Sequence, residues 1–386
     1  LIDSARRPGA KILVSGGGRC TVTHDEVDET SFSGSTPGSI RQVLRRFDVP
    51  HTVDFFRGLG VELKREETGK LFPVTDSART VLHALIGAVR EAGVAWLNPF
   101  RVERIERLED RFMLHPTPGA PGPAEAIAAR RVILATGGRS LPKSGSDGHG
   151  YAMARSLGHT ITPRILPALV PLTLAEGSFP RDLPGVSLTV RLEVRSGTGR
   201  RIATMAGPLL CTHFGVSGPI VMDISRHYLT AILDDPRASL HASWLAGAGF
   251  ETTEAIHAAL VGLGARSVRG WLQERVPERL AAALCREADV DPSLRGHRLT
   301  RESRRRLAHT LAGQRLNVSG SRGWSHAEAT AGGVPLAEID PATMRSRFCE
   351  GLWICGEICD VDGRIGGYNF QWAWASGHVA GLGAAG

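Results

Sequence analysis

The stretch that most constrains this chain is GLWICGEICDVDGRIGGYNFQWAWASGHVAG, residues 351–381. An apolar strand from Leu352 to Cys355 runs out into Gly356 and Glu357, the acids Asp360 and Asp362 follow, and Gly363, Gly366 and Gly367 precede a helix expected from about Asn369 to Ala380. Each part has a physical purpose. Glycines let backbone approach a ligand closely. A helix N-terminus offers amides and the positive end of a dipole, which suits a pyrophosphate or the electron-rich edge of a flavin ring. A carboxylate just ahead of it accepts hydrogen bonds from a ribitol, or from water bridging to phosphate. Without a ligand the same segment is simply a glycine-rich strand-to-helix turn.

Two further segments have the same texture. KILVSGGGRCTVTH, residues 11–24, reads as an apolar stretch over Lys11–Val14 running into a loop of three glycines flanked by Lys11, Ser15, Arg19 and Thr21. Amides, hydroxyls and a fixed cation in one loop suit an anion. No Lys followed by Ser or Thr closes the glycines, and the loop does not match Gly-x-Gly-x-x-Gly, so an ordinary flexible loop is the other reading. RRVILATGGRS, residues 130–140, places Ala135, Thr136, Gly137 and Gly138 after an apolar strand, Val132–Ala135, expected to be buried on both faces as a central parallel strand.

Around these segments the chain has 386 residues, 42% hydrophobic and 22% charged, enough for two or three cores. Helical periodicity marks 38–60 and 77–92, and short strands are expected at 94–96, 101–108 and 111–114. From about Leu166 alternating runs such as Val186–Val194 suggest an antiparallel unit. From Thr253 to Leu311 the pattern is helical, with Ala255, Ile256, Leu260, Leu280, Ala283 and Leu284 as candidate core positions. The organisation expected is therefore residues 1–165, an inserted β-rich then helical domain at 166–332, and a return at 333–386. The net charge of +7 is dispersed among acids. The six cysteines show no two-residue spacing for zinc or redox centres, so no metal is expected and a reducing, cytoplasmic setting fits. No apolar run reaches the length of about 20 residues that a membrane span needs.

In this order, KILVSGGGRCTVTH, GKLFPVTD (69–76), ILATGG, GSDGHGYAMARSLGH (145–159), PALVPL (167–172), GPLLCTHFGVSGP (207–219) and GEICDVDGRIGGYNFQWAWASG resemble one family. It is the bacterial NAD(P)/FAD-dependent oxidoreductases that include aminoacetone-oxidase-type flavoproteins and a bile-acid reductase. The resemblance covers nearly the whole chain. It implies an α/β fold: a glutathione-reductase-like, Rossmann-type FAD domain built on a parallel sheet, with an inserted β-barrel-plus-helices domain on the substrate side. By the same resemblance, Asp3 stands where an acid binds the adenosine ribose, and the loop Ser15, Gly16, Gly17, Gly18, Arg19, Cys20 and Thr21, with Lys11, would wrap the pyrophosphate and ring. Val102 would touch adenine through its backbone, and Ala135, Thr136 and Gly137 would pass beside the cofactor. Gly356, Glu357, Asp360, Asp362, Gly363, Gly366, Gly367, Tyr368 and Asn369 would close the flavin end. Asp3 replaces the more usual Glu, and Thr21 stands where Asn is common. Since the Gly-x-Gly-x-x-Gly turn normally lies about 20 residues before the ribose acid, the chain is expected to lack the first strand and helix of its dinucleotide fold.

The activity implied is hydride transfer between a small organic substrate and FAD, with NAD(P)H as co-substrate, although no second Gly-x-Gly-x-x-Gly fingerprint is present. Arg19, Arg364 and His213 are the candidates for substrate orientation or proton transfer; a histidine such as His213 also serves as a hydrogen-bonded structural residue. A flavin-dependent amine or aminoketone oxidase using oxygen is the enzymatic rival, and a non-catalytic fragment the rival of another class. With no aromatic-basic strip nucleic acid is not an expected partner, although the charge leaves a nucleic-acid-modifying flavoprotein as a further reading, and with no apolar run of spanning length no membrane partner is expected.

Overall fold

In the computed structural model, which describes residues 1–386, the first three residues lie extended beside residues 95–97. Ile2 forms a parallel bridge with Leu97, the Asp3 amide donates to the Leu97 carbonyl at 3.1 Å, and the Phe100 amide donates to the Asp3 carbonyl at 2.8 Å. The chain divides into two compact units, 1–167 with 327–386, and 168–326. No helix is long and apolar enough to cross a membrane.

The first unit begins with α1 (Ala10–Val14), a short helix where an apolar strand-like stretch was expected. Five residues carry no readable period; what decides is Gly9 at φ 80°, which turns the chain so that Ile12 and Leu13 pack beside Val81. β1 (Thr23–His24) and β2 (Phe32–Gly34) follow. The periodic stretch 38–60 breaks into α2 (Pro37–Leu44) and α3 (Val49–Gly58), because Asp48 caps the His51 amide at 3.1 Å and proline occupies the first turn. β3 (Leu63–Arg65) and β4 (Lys70–Pro73) join β1 in the order β1-β4-β3. After α4 (Ala78–Glu91) comes the antiparallel meander β5 (Val102–Arg107), β6 (Phe112–Pro116) and β7 (Ile127–Ala129). β8 (Val132–Leu134), α5 (His149–Ser156) and β9 (Leu166–Ala168) complete this part.

In the second unit β10 (Leu172–Leu174), β11 (Ser187–Arg195), β12 (Arg201–Thr212), β13 (Gly215–Ser217), α6 (Pro219–Asp234) and β14 (Ser239–Ser243) are followed by α7 (Thr253–Val261), α8 (Val268–Gln273), α9 (Glu278–Glu287) and α10 (Arg301–Gly313). The last strands are β15 (Gln314–Leu316) and β16 (Val318–Ser321). The sheet runs β15-β14-β11-β12-β13-β10-β16, and its outermost strands are successive halves of one run, so the chain from 314 to 321 bridges the two sides of the ladder. Period-two burial of Val190, Leu192 and Val194 faces the core shared with Ile256, Leu260, Leu280 and Leu284. Ala255, a candidate core position, is instead exposed.

The first unit resumes with β17 (Ala329–Ala331), β18 (Ile339–Asp340), β19 (Arg345–Ser346), β20 (Leu352–Ile354), β21 (Val361–Gly363) and α11 (Tyr368–Ala385). Here the sheets are mixed where a parallel sheet was expected. In the order β18-β19-β20-β8 only β20 and β8 are parallel; β18–β19 and β19–β20 are antiparallel. β8 forms one edge, and Ile133 is 43% exposed while Val132 and Leu134 are buried, so the strand is covered on one face only. α11 carries Trp372, Ala375, Val379 and Ala380 into the core.

Candidate functional site

Three loops of the first unit, distant in sequence, are joined by one polar cluster. Lys11 Nζ donates to Ser140 Oγ at 2.8 Å and Ser146 Oγ at 3.2 Å, and forms an ion pair with Glu357 Oε2. Ser140 Oγ donates to Glu357 Oε1 at 2.7 Å, so both carboxylate oxygens are engaged. Thr330 Oγ1 holds the loop after β8 from behind, accepting from the amides of Arg139 at 2.8 Å and Ser140 at 3.1 Å. That loop requires glycine for close approach: a Cβ on Gly138 would lie 2.6 Å from Thr330 Cβ and 3.1 Å from Glu357 Oε1. Ala135 and Thr136 are exposed at its start.

The glycine loop after α1 is left-handed at three successive residues, Gly16, Gly17 and Gly18, with φ of 54°, 69° and 87°. Cys20 behind it is fully buried, and burial pushes its thiol up to about 11. Arg19 lies 4.0 Å over the Phe72 ring, donates to Glu66 Oε1 at 2.6 Å and pairs with Asp76 at 3.5 Å, contacts that hold the guanidinium still more firmly protonated. Its charge therefore ties the loop to the β3–β4 hairpin.

At the third loop, the Asn369 side chain closes a two-way clip on Gly363, accepting from its amide and donating to its carbonyl, each at 2.9 Å. Gly367, at φ 101°, ends the turn; a Cβ there would lie 2.6 Å from the Thr23 carbonyl carbon. The 18-residue helix α11 starts directly after it with no side-chain cap, leaving its positive dipole end at the turn. Tyr368 stacks on His24, centroids 4.9 Å apart, and meets Phe32 edge-on. The Arg364 amide donates to the Ser31 carbonyl at 3.0 Å, and its side chain is exposed. Asp362 is buried in β21 opposite Ser33, and the Asp360 carbonyl accepts from the Ser35 amide at 2.8 Å.

The structure thus brings Lys11 and Glu357 into contact and holds the loops bearing Ser15–Thr21, Ala135–Gly137 and Gly356–Asn369 within one unit. Asp3 uses Oδ1 to accept from the Ala5 amide at 2.8 Å, and Val102 opens β5 opposite Pro116. His213 belongs to the second unit, on the turn between β12 and β13, where its ring is edge-on to Phe214 and its carbonyl accepts from Arg181. Sequence reasoning did not single out Ser140, Ser146, Thr330, His24 or Tyr151. His24, Ser140, Ser146 and Tyr151 lie inside quoted motifs, but nothing local marks a serine as the partner of a lysine more than 120 residues away.

The residues fit a flavin dinucleotide. Gly17 and Gly356 are both left-handed, and no heavy atom lies within 4 Å of where a Cβ would stand on either, so backbone is open to a ligand at two of the three loops. The donors left for a ligand are loop amides and a helix terminus, groups that suit a pyrophosphate, since Lys11 is taken up by Ser140, Ser146 and Glu357. The Tyr151 hydroxyl is buried and has no hydrogen-bond partner within the protein.

A family model described as HI0933-like protein Rossmann domain matches residues 1–383. The chain is 31% identical over 387 residues to the 3-dehydro-bile acid delta(4,6)-reductase of Clostridium scindens, covering 100% of this chain and 92% of that protein. It is 30% identical over 378 residues to the ribosomal RNA dihydrouridine synthase of Escherichia coli, covering 97% of this chain and 89% of that one. The protein of the same name from Haemophilus influenzae is 28% identical over 387 residues.

Proposed function

The chain belongs to the HI0933-like family of Rossmann-domain flavoproteins, and from that premise we propose that it is an FAD-dependent reductase that saturates an electron-poor carbon–carbon double bond, with NAD(P)H as the reductant. The observation that carries the cofactor reading is the Lys11–Ser140–Glu357 cluster, which joins the helix leading into the first glycine loop to the turns after β8 and β20 within one unit. The reaction class rests on the relatives: a delta(4,6)-reductase and a dihydrouridine synthase are both named for saturating such a bond.

When bound, FAD supplies the two-electron hydride chemistry. The protein's part is position and electrostatics. Amides of Ser15–Gly18 and the dipole end of α11 receive negative charge, Asp3 accepts from a ribose hydroxyl, and Glu357, neutralised by Lys11, keeps the turn after β20 in one conformation. Arg364, exposed at the entrance to α11, orients the carbonyl conjugated to the substrate double bond. Arg19, held by Glu66 and Asp76, shapes the loop.

The test is the visible spectrum of the purified protein followed by anaerobic mixing with NADPH. Flavin bands that bleach within seconds, and recolour on adding a conjugated enone, support the reading. Bands that NADPH leaves intact and an amine bleaches favour the oxidase, and a colourless protein that takes up no FAD overturns both.

A second reading of the substrate has its own observation. The second unit holds 20 arginines, no lysine and 14 carboxylates, a surplus of six positive charges. Arg295, Arg298, Arg301 and Arg305 are exposed along α10 and the turn before it, and none is in an ion pair. Such a strip suits phosphates of RNA, the substrate in the name of the Escherichia coli relative. RNA retention that falls steeply with salt and is lost in an R301E/R305E variant supports it; retention unchanged by those substitutions removes it.

A further inference from the structure

We propose that Lys70 sets the charge at the reacting end of the cofactor site, its ammonium offsetting the negative charge that the flavin ring gains when it is reduced. The proposal rests on the FAD reading above. β4 lies against two of the glycine segments assigned to the cofactor. Lys70 and Phe72 are two residues apart on this strand and so share a face. A Cβ on Gly16 would lie 3.0 Å from Phe72 Cε1, and a Cβ on Gly366 would lie 3.3 Å from Lys70 Cε. One strand face therefore meets both the glycine loop after α1 and the turn before α11. Phe72 is buried against the first, and Lys70 is half-buried against the second.

What singles out Lys70 is an unspent charge. The other cations of this hairpin and of the glycine loop are paired: Arg19 with Glu66 at 2.6 Å, Lys64 with Asp76, and Arg65 with Asp25. His24, whose ring also borders Gly366, is engaged by the Thr68 carbonyl and by Asp25, each at 2.9 Å. The Lys70 side chain has neither an ion pair nor a hydrogen bond. A half-buried ammonium without a counter-ion favours an anion beside it. When a hydride passes from NAD(P)H, the ring gains two electrons and one proton, the nicotinamide is left oxidised, and the ring carries one more negative charge. A cation fixed next to it acts on a charge that appears only on reduction, and so favours the reduced form over the oxidised one.

The experiment measures the reduction potential of the bound FAD, by equilibrating the holoprotein with a reference dye during slow reduction. Wild type is compared with Lys70→Met, Lys70→Gln and Lys70→Arg. Both neutral variants are expected to shift the balance about tenfold toward oxidised flavin, which for a two-electron couple lowers the potential by about 30 mV. Lys70→Arg keeps the charge and is expected to restore the wild-type potential, and oxidised FAD should bind all four proteins alike. An unchanged potential in the neutral variants overturns the proposal while the flavin reading stands. Weaker binding of oxidised FAD with no change of potential also overturns it, assigning Lys70 to a part of the cofactor whose charge is constant. A potential lowered equally in Lys70→Arg does the same, tracing the effect to packing of the lysine stem against Gly366. A wild type that takes up no FAD removes the flavin reading itself, and the proposal with it.

Discussion

Lys11 Nζ and Glu357 Oε2 form an ion pair across 346 residues of chain, with Ser140 Oγ bonded to the other carboxylate oxygen. The side chains are 28% and 20% exposed, so the pair is partly shielded from the screening that makes surface pairs worth about 0–1 kcal/mol. Lys11→Met leaves Glu357 with one donor and is expected to cost about 1–3 kcal/mol in urea unfolding. A double-mutant cycle with Glu357→Gln should give a coupling above about 0.5 kcal/mol. Additivity would sink the idea that this pair holds the loops together.

Two glycines separate backbone strain from ligand approach. Gly367→Ala places a methyl 2.6 Å from the Thr23 carbonyl carbon and forces a left-handed φ, so we expect loss of more than about 3 kcal/mol and failure to take up FAD. Gly17→Ala meets nothing within 4 Å and costs the protein only about 1–2 kcal/mol of φ strain. Its FAD affinity should nonetheless fall at least about tenfold, since a methyl would occupy space the cofactor needs. Unchanged affinity in Gly17→Ala would place the cofactor elsewhere.

Gln371 is buried at the centre of a small polar network. Its Oε1 accepts from Thr23 at 2.7 Å and Thr52 at 2.9 Å, and its Nε2 donates to the Phe47 carbonyl at 2.9 Å. Gln371→Leu strands buried polar groups on β1, α3 and the α2–α3 turn, and is expected to cost about 2–4 kcal/mol, read as a drop in the urea midpoint. A loss below about 1 kcal/mol would mean the network is repaired by water.

All six cysteines are buried free thiols. Burial pushes Cys20, Cys211 and Cys285 up to about 11 and Cys355 up to about 12, against an ordinary value of 9.0. A raised value in the folded state means the folded protein holds protons that the unfolded chain releases above pH 9, so stability is constant below that pH and falls as pH rises through 9 to 11. Replacing Cys20 by Ala should reduce the stability lost between pH 8 and pH 10 by about 1 kcal/mol. At pH 8 the folded protein should resist iodoacetamide until denatured; rapid labelling would contradict the burial.

Much was legible locally because hydrophobic period and glycine placement are local signals. Alternation marked β11 before any pairing was known, the helical period marked α7 to α10, and Gly366–Gly367 marked the start of α11 to within a residue or two. Even the glycine loops were readable, since consecutive glycines are uncommon where backbone has no special task.

The rest was decided by what each segment meets in three dimensions. Lys11–Val14 is too short to show a period, and only the Gly9 turn and its packing beside Val81 make it helical. Ile133 has the same apolar character as its neighbours, yet it is exposed because side chains alternate across the strand and only the face bearing Val132 and Leu134 is covered, a fact of what packs on the sheet and not of the strand. The chemistry of Lys11, Arg19 and Glu357 was visible in their side chains, but not their partners: Lys11 meets Ser140 and Glu357, and Arg19 is taken up by Glu66, Asp76 and Phe72. Residue type sets what a side chain is able to bind. Long-range packing selects which partner it binds, because the energies that choose among partners arise only once the intervening chain has folded.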